Sequence, residues 1–312
     1  MNILEQQYKN NPFFHHLLQA VVKTNPLQKK RLEGFLADQP ETYWRFVEYL
    51  SEMLTKGPFR RSEDLQVGVE SYNKMCFDFL KEQIQFNKCG KYRIANASVA
   101  NESVYANVEV MRYYMKGLLL SYMFWPNHYK IFDFFRQGIQ ECSFKNYLEV
   151  GIGHGLFTAE LLKQHPSVEP HIIDISETSI AAAKELLQMF GIDLAKLDFN
   201  HGNFLKVPIE SEAFDFIVIG EVIEHVDDAP MFLQTTHRIL RKNGVVFLTT
   251  CANCPAIDHV YHFHNVGEIR KLMEDSGFRI RSDRAWPAEN LPEERWEQEL
   301  ITINYAGFLE KI

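Results

Sequence analysis

Residues 148–155 read Leu-Glu-Val-Gly-Ile-Gly-His-Gly, and their neighbours decide how they fold. Asn146-Tyr-Leu-Glu-Val150 before them is a short β-rich run. Leu156-Phe-Thr-Ala-Glu-Leu-Leu-Lys-Gln164 after them has helical spacing. A glycine-rich turn between a strand and a helix lets the backbone approach a ligand closely. The spacing here is GxGxG, one residue tighter than the GxGxxG that cradles a dinucleotide pyrophosphate. Glu149, two residues ahead of the loop, is a poor neighbour for a pyrophosphate and a good one for an ammonium group.

Working outward, strand-like and helix-like runs keep alternating from 141 to 312. HIIDIS (171–176) leads into TSIAAAKELLQMF, which carries Ala183, Leu186, Leu187 and Phe190 on one face. LDFNHG (197–202) is a short third strand. FDFIVIG (214–220) precedes APMFLQTTHRILRK, and GVVFLTT (244–250) precedes VGEIRKLMEDS. FRIRSDRAW and LITINYAGFLEK close the series. This alternation predicts a parallel, doubly wound α/β sheet with helices on both faces. Its ligands bind at the carboxyl ends of the strands. Asp174 ends the second strand, where a carboxylate can grip ribose hydroxyls. Asn203 and Phe204 follow the third, where an amide and a ring can bracket an adenine.

The set LEVGIGHG, HIIDIS, HGNF, FDFIVIGEVIEHV, LRKNGVVFLTT and LITINYAGFLEK resembles the class I S-adenosylmethionine-dependent methyltransferases over about 145–312. The resemblance implies a Rossmann-like seven-stranded sheet, its last strand antiparallel, and S-adenosylmethionine as cofactor. It implies that Glu149, Gly151, Gly153 and Gly155 line the methionine side. Asp174, with Ile175 beside it, would hold the ribose, and Asn203 and Phe204 would flank the adenine. Glu221, after the fourth strand, would face the methyl group.

Residues 220–228, Gly-Glu-Val-Ile-Glu-His-Val-Asp-Asp, admit three readings. One is a plain pocket wall, as in the similar ubiquinone O-methyltransferase-like enzymes, where positioning and desolvation supply the acceleration. Another is a divalent metal site. Glu221, Glu224 and His225 would share one helical face, and His259 would complete the set, as in the similar ExxEH motif of small-RNA terminal 2′-O-methyltransferases. The third is acid–base work by His225, His259 or His262, with Tyr261 as helper. Alternation over HVYHFH (259–264) predicts His259 and Tyr261 on one side and His262 and His264 on the other.

Residues 1–140 have a different grammar. Phe14, Leu17, Leu18 and Val21 keep helical spacing, as do Tyr43, Val47, Leu50 and Leu54, and Tyr72, Met75, Cys76, Phe79 and Leu80. Breaks fall at Asn25-Pro26, Gln39-Pro40 and Gly57-Pro58. An all-helical N-terminal cap or dimerisation domain (1–140) is therefore expected before a methyltransferase domain (141–312). The aromatic run 113–129, with Trp125 and His128, is placed to close over the pocket.

The 312 residues carry a net charge of −8. Residues 1–140 hold 18 Lys and Arg against 14 Asp and Glu, a net +4, and 141–312 hold 15 against 27, a net −12. An acidic catalytic half repels a polyphosphate, which weighs against nucleic acid and leaves a metal-dependent RNA 2′-O-methyltransferase as the alternative. A small-molecule acceptor, as in specialised metabolism, fits better. The intact glycine loop and Asp174 argue against a binding protein with a vestigial domain. Five scattered cysteines suit reduced thiols. Cys251 and Cys254 have CxxC spacing, lack the second pair of a zinc knuckle, and read as thiols beside a pocket. The N-terminus lacks the layout of a signal peptide and no apolar run spans a membrane, so a cytoplasmic protein is expected.

Overall fold

The computed structural model describes residues 11–289 and 291–312. Helices α1 (Pro12–Thr24), α2 (Gln28–Ala37), α3 (Glu41–Lys56) and α4 (Ser62–Cys89) come first. A short α5 (Ala97–Ala100) runs into a π turn, and α6 (Val108–Phe124) and α7 (Pro126–Ile139) follow. The predicted breaks are helix ends. Asn25 closes α1, Pro40 precedes α3 and Gly57 ends it. Pro126 opens α7 at a position where its missing N–H costs nothing.

The second half alternates strands and helices: β1 (Asn146–Val150), α8 (Leu156–Gln164), β2 (Glu169–Asp174), α9 (Glu177–Met189), β3 (Asp198–His201) and β4 (Phe214–Gly220). Then come α10 (Ala229–Ile239), β5 (Leu240–Ala252), α11 (Val266–Asp275), β6 (Phe278–Pro287) and β7 (Ile303–Lys311). The sheet order is β3-β2-β1-β4-β5-β7-β6. All pairs are parallel except those of β7, which runs antiparallel to both β5 and β6. The strand order reverses between β1 and β4, which opens a crevice at their carboxyl ends.

Side chains alternate across this sheet. Tyr147, Phe216, Phe247 and Phe308 face one side, and Leu148, Ile217, Val246 and Leu248 face the other. On the first face lie α8 and α7, with the Phe135 ring 4.8 Å from both Phe157 and Phe247. The second face is covered by Phe232 and Leu233 of α10 and Ile269 and Met273 of α11. The change of grammar near residue 140 is not a break in the core. One apolar cluster runs from Phe14 in α1 through α7 to Phe308 in β7. Among the described residues, no helix is long and apolar enough to cross a membrane.

Candidate active site

A cavity of about 1000 Å³ opens over the carboxyl ends of β1, β2 and β4. Its floor is the glycine loop. Gly151, Gly153 and Gly155 take φ of 74°, 52° and 78°, the left-handed region that other residues avoid. Gly151 N–H donates to the Ile173 carbonyl at 2.8 Å, tying the loop to β2. A Cβ at Gly153 would meet nothing within 4 Å, so the backbone there is bare to the cavity.

Two of the residues expected on the methionine side do something else. Gly155 does not reach the cavity. A Cβ there would sit 3.1 Å from that of Ala183, so this glycine lets α8 pack on α9. Glu149 is buried beneath the loop and accepts hydrogen bonds from the Tyr147 and Thr158 hydroxyls. Burial pushes its carboxyl up to about 7. It braces the strand–helix turn from below and contributes no wall.

Asp174 lies on the cavity, accepting from Ser176 N–H at 2.7 Å, and burial pushes its carboxyl up to about 6. Ile175, Asn203 and Phe204 line the same end. The Phe204 ring lies 4.8 Å from Phe232, and Asn203 caps its own 3₁₀ turn by accepting from Leu205 N–H. These residues leave an apolar slot beside an acid, a fit for a nucleoside.

After β4 the chain turns sharply, with Glu221 at φ 53°. Ile223–His225 form a 3₁₀ turn instead of the expected α-helical face. Glu221 N–H donates to Thr249 Oγ1 at 2.9 Å, and Glu224 accepts from the Thr250 hydroxyl at 2.9 Å. The Glu224 carbonyl accepts from Val260 and Tyr261 N–H, at 2.8 and 2.9 Å, which pins the 258–261 loop onto the turn. That brings Asp258 and His259 beside His225. The His225 and His259 rings are 4.8 Å apart, and His225 Nδ1 lies 3.1 Å from the Asp258 carbonyl.

The four residues expected to share a metal do not form one tight set. Ligand atoms of Glu224, His225 and His259 lie within 4.8 Å of one another, whereas Glu221 groups with Glu224 and Cys251. One carboxylate oxygen each of Glu221 and Glu224 is buried with no hydrogen-bond partner. Burial raises both carboxyls, that of Glu224 well above its ordinary range. Orphaned acceptors beside two imidazoles fit a divalent cation.

Tyr261 is off the cavity, its ring 4.8 Å from Phe263. The predicted alternation fails there because 253–263 is a loop, not a strand. His262 and His264 do pair, at 4.2 Å, away from His225.

The helical half supplies the opposite wall: Phe79, Tyr105, Tyr114, Tyr122, Trp125 and His128. Burial pushes His128 down to about 3 and His154 and His259 down to about 4, so all three are neutral imidazoles. The sequence reading placed Tyr114 in the aromatic run over the pocket but missed Tyr105; their hydroxyls donate to Asp258 at 3.4 and 3.0 Å. It also passed over Asp258 itself, although that residue stands directly before His259.

Comparison with known proteins gives sequence matches to methyltransferases. Residues 148–248 match the family model described as a methyltransferase domain. A Mycolicibacterium smegmatis protein described as a probable S-adenosylmethionine-dependent methyltransferase is 29% identical over 150 residues, 45% of this chain and 54% of that protein. A ubiquinone biosynthesis O-methyltransferase of Pelagibacter ubique is 30% identical over 105 residues, 33% of this chain and 40% of that one. The chain thus spans about half the length, or less, of these relatives. The solved N-methyltransferase NodS of Bradyrhizobium japonicum superposes with a TM-score of 0.48 at 16% identity, over 69% of this chain and 98% of that one. Strand order and glycine loop, with the family match over residues 148–248, support a class I S-adenosylmethionine-dependent methyltransferase domain.

Proposed function

We propose that this chain transfers the methyl group of S-adenosylmethionine to a small acceptor with apolar or planar parts. The observation that carries this reading is the two-sided cavity. One wall is the bare glycine loop with Asp174 and Phe204, and the other is a band of aromatic rings from α4 to α7. When bound, the cofactor supplies an electrophilic methyl on a sulfonium. The chain's own residues then position and desolvate the acceptor, which suffices for much of the acceleration. His225, oriented by Asp258, is placed to take the acceptor's proton, and the neutral His259 stands beside it.

Charge supports a small acceptor over nucleic acid. Arg31 is the one lysine or arginine on the described cavity wall, against Asp174, Glu221, Asp227, Asp228 and Asp258. The large helical cap points to a specialised biosynthetic step. A metal-assisted form is favoured by the orphaned oxygens of Glu221 and Glu224. Glu224, His225 and His259 would hold the ion, with Glu221 alongside, and the ion would lower the pKa of a hydroxyl acceptor.

The test is incubation with methyl-labelled S-adenosylmethionine and a cell extract, with and without chelator, followed by size fractionation. Label in a low-mass, nuclease-resistant fraction supports the reading. Label in nuclease-sensitive material overturns it in favour of RNA.

A further inference from the structure

The thiols of Cys251 and Cys254 take no part in the chemistry above, yet they adjoin the same wall. Cys251 ends β5 and is wholly buried, and Cys254 lies on the cavity three residues later. Sγ of each and a ring nitrogen of His259 lie within 4.8 Å of one another, and Cys251 Sγ is 3.8 Å from His259 Nδ1. Two donors each about 2.3 Å from one ion are at most about 4.6 Å apart, so small side-chain rotations bring all three onto a single ion. His259 Nδ1 is 2.6 Å from the Cys254 carbonyl. The same Nδ1 faces Cys251 Sγ, so the imidazole takes the ion either through Nδ1, released from that carbonyl, or through Nε2 with the Nδ1 proton kept on it.

The loop that holds these groups is fixed from several sides. Asn253 N–H donates to the Phe263 carbonyl at 3.0 Å, Asn253 Nδ2 donates to the His264 carbonyl at 2.9 Å, and the Thr302 hydroxyl donates to the Asn253 carbonyl at 2.7 Å. Cys254 N–H donates to the Tyr92 hydroxyl at 2.9 Å. Preorganised donors of this kind are what a metal site needs and a pair of stray thiols does not.

We propose that the ion this wall takes is a thiophilic divalent cation of the zinc class, held by Cys251, Cys254 and His259. Its fourth position opens to the cavity, which Cys254 and His259 line. Three protein ligands with an open position form a catalytic rather than a closed structural arrangement. Thiolates select zinc over magnesium or manganese, which the oxygen-rich neighbours alone would favour. Glu224 groups with Cys251 on one side and with His259 on the other, so its orphaned oxygen stands next to the ion. The inference rests on the metal-assisted form of the reaction and not on methyl transfer itself.

The experiment is titration of the reduced, metal-free full chain with cobalt(II), read by absorption. Tetrahedral ligation by sulfur gives intense visible d–d bands and a near-ultraviolet thiolate-to-cobalt charge-transfer band. Both are expected at one ion per chain, and zinc should bleach them. Cys254→Ser should roughly halve the near-ultraviolet band, leaving the contribution of Cys251, and weaken zinc binding by more than about tenfold, with unchanged circular dichroism. Glu221→Gln should keep the band. Cobalt bound with d–d bands alone would place the ion on Glu224, His225 and His259 and overturn the thiolate assignment while sparing metal assistance. No cobalt binding would overturn both, and a Cys251–Cys254 disulfide in the protein purified without reductant would overturn the thiolate assignment alone. S-adenosylmethionine binding, measured by calorimetry on the same sample, reports separately on the methyltransferase reading.

Discussion

His225 Nδ1 lies 3.1 Å from the backbone carbonyl of Asp258 and 3.7 Å from its carboxylate, although the two residues are 33 positions apart. Asp258 is itself held by the Tyr105 and Tyr114 hydroxyls from the helical half. An imidazole anchored in this way has a fixed tautomer and a fixed aim. His225→Ala is expected to lower methyl transfer by at least about 100-fold, the lower range for a general base. Calorimetric affinity for S-adenosylmethionine should change less than about twofold, because the imidazole serves the acceptor and not the cofactor. Full activity in this variant would remove His225 from both the acid–base and the metal roles.

Asp174→Ala should weaken S-adenosylmethionine binding by about 1–3 kcal/mol, the cost of losing hydrogen bonds to a charged acceptor. Titration calorimetry measures it directly. An unchanged affinity would mean that the ribose lies elsewhere in the cavity.

The buried Glu149 makes stability pH-dependent in a defined direction. Unfolded, its carboxyl ionises near 4.3, as carboxyls in model peptides do; folded, burial raises this to about 7. The folded chain therefore binds this proton more tightly. The stabilisation is complete below the unfolded pKa and disappears as pH rises through the folded one. Wild type minus Glu149→Gln stability, from urea unfolding, should fall between about pH 4 and pH 8 by up to about 3 kcal/mol. A flat difference would show an ordinary carboxyl.

Phe135 of α7 contacts both Phe157 of α8 and Phe247 of β5, so the two halves share one core. Phe135→Ala should cost about 3–5 kcal/mol and shift a single unfolding transition. A fragment of residues 141–312 alone would bare Phe157, Phe247 and Phe308 and should show no cooperative transition. Two separable transitions in the intact chain would contradict a shared core.

The sheet was legible because its strands are buried on both faces and read as apolar runs such as FDFIVIG, whose burial here is nearly continuous. The helical stripes were legible for the same reason, with Tyr43, Val47, Leu50 and Leu54 all buried. Asp174, Asn203 and Phe204 could be put on the cavity because Asp174 ends β2 and the other two stand just beyond β3. Glu149 and Gly155 were misread because position beside a loop does not say whether a side chain points up into the cavity or down into the core. The 3₁₀ turn at 223–225 depends on backbone hydrogen bonds from Val260 and Tyr261, a partnership that no local pattern announces. Tyr105 was invisible as a site residue, and Tyr114 as a partner of Asp258, for a related reason. Only the packing of the helical half over the sheet carries them to Asp258.

The cavity's two walls come from two successive stretches of the chain. Gly151, Gly153, Asp174 and Phe204 form the floor, and Phe79, Tyr114, Tyr122 and Trp125 form the roof. A substitution in the roof changes the space above without moving the floor's backbone. Selection can therefore retune what the pocket admits while inheriting the donor machinery unaltered, a route by which one scaffold diversifies its chemistry.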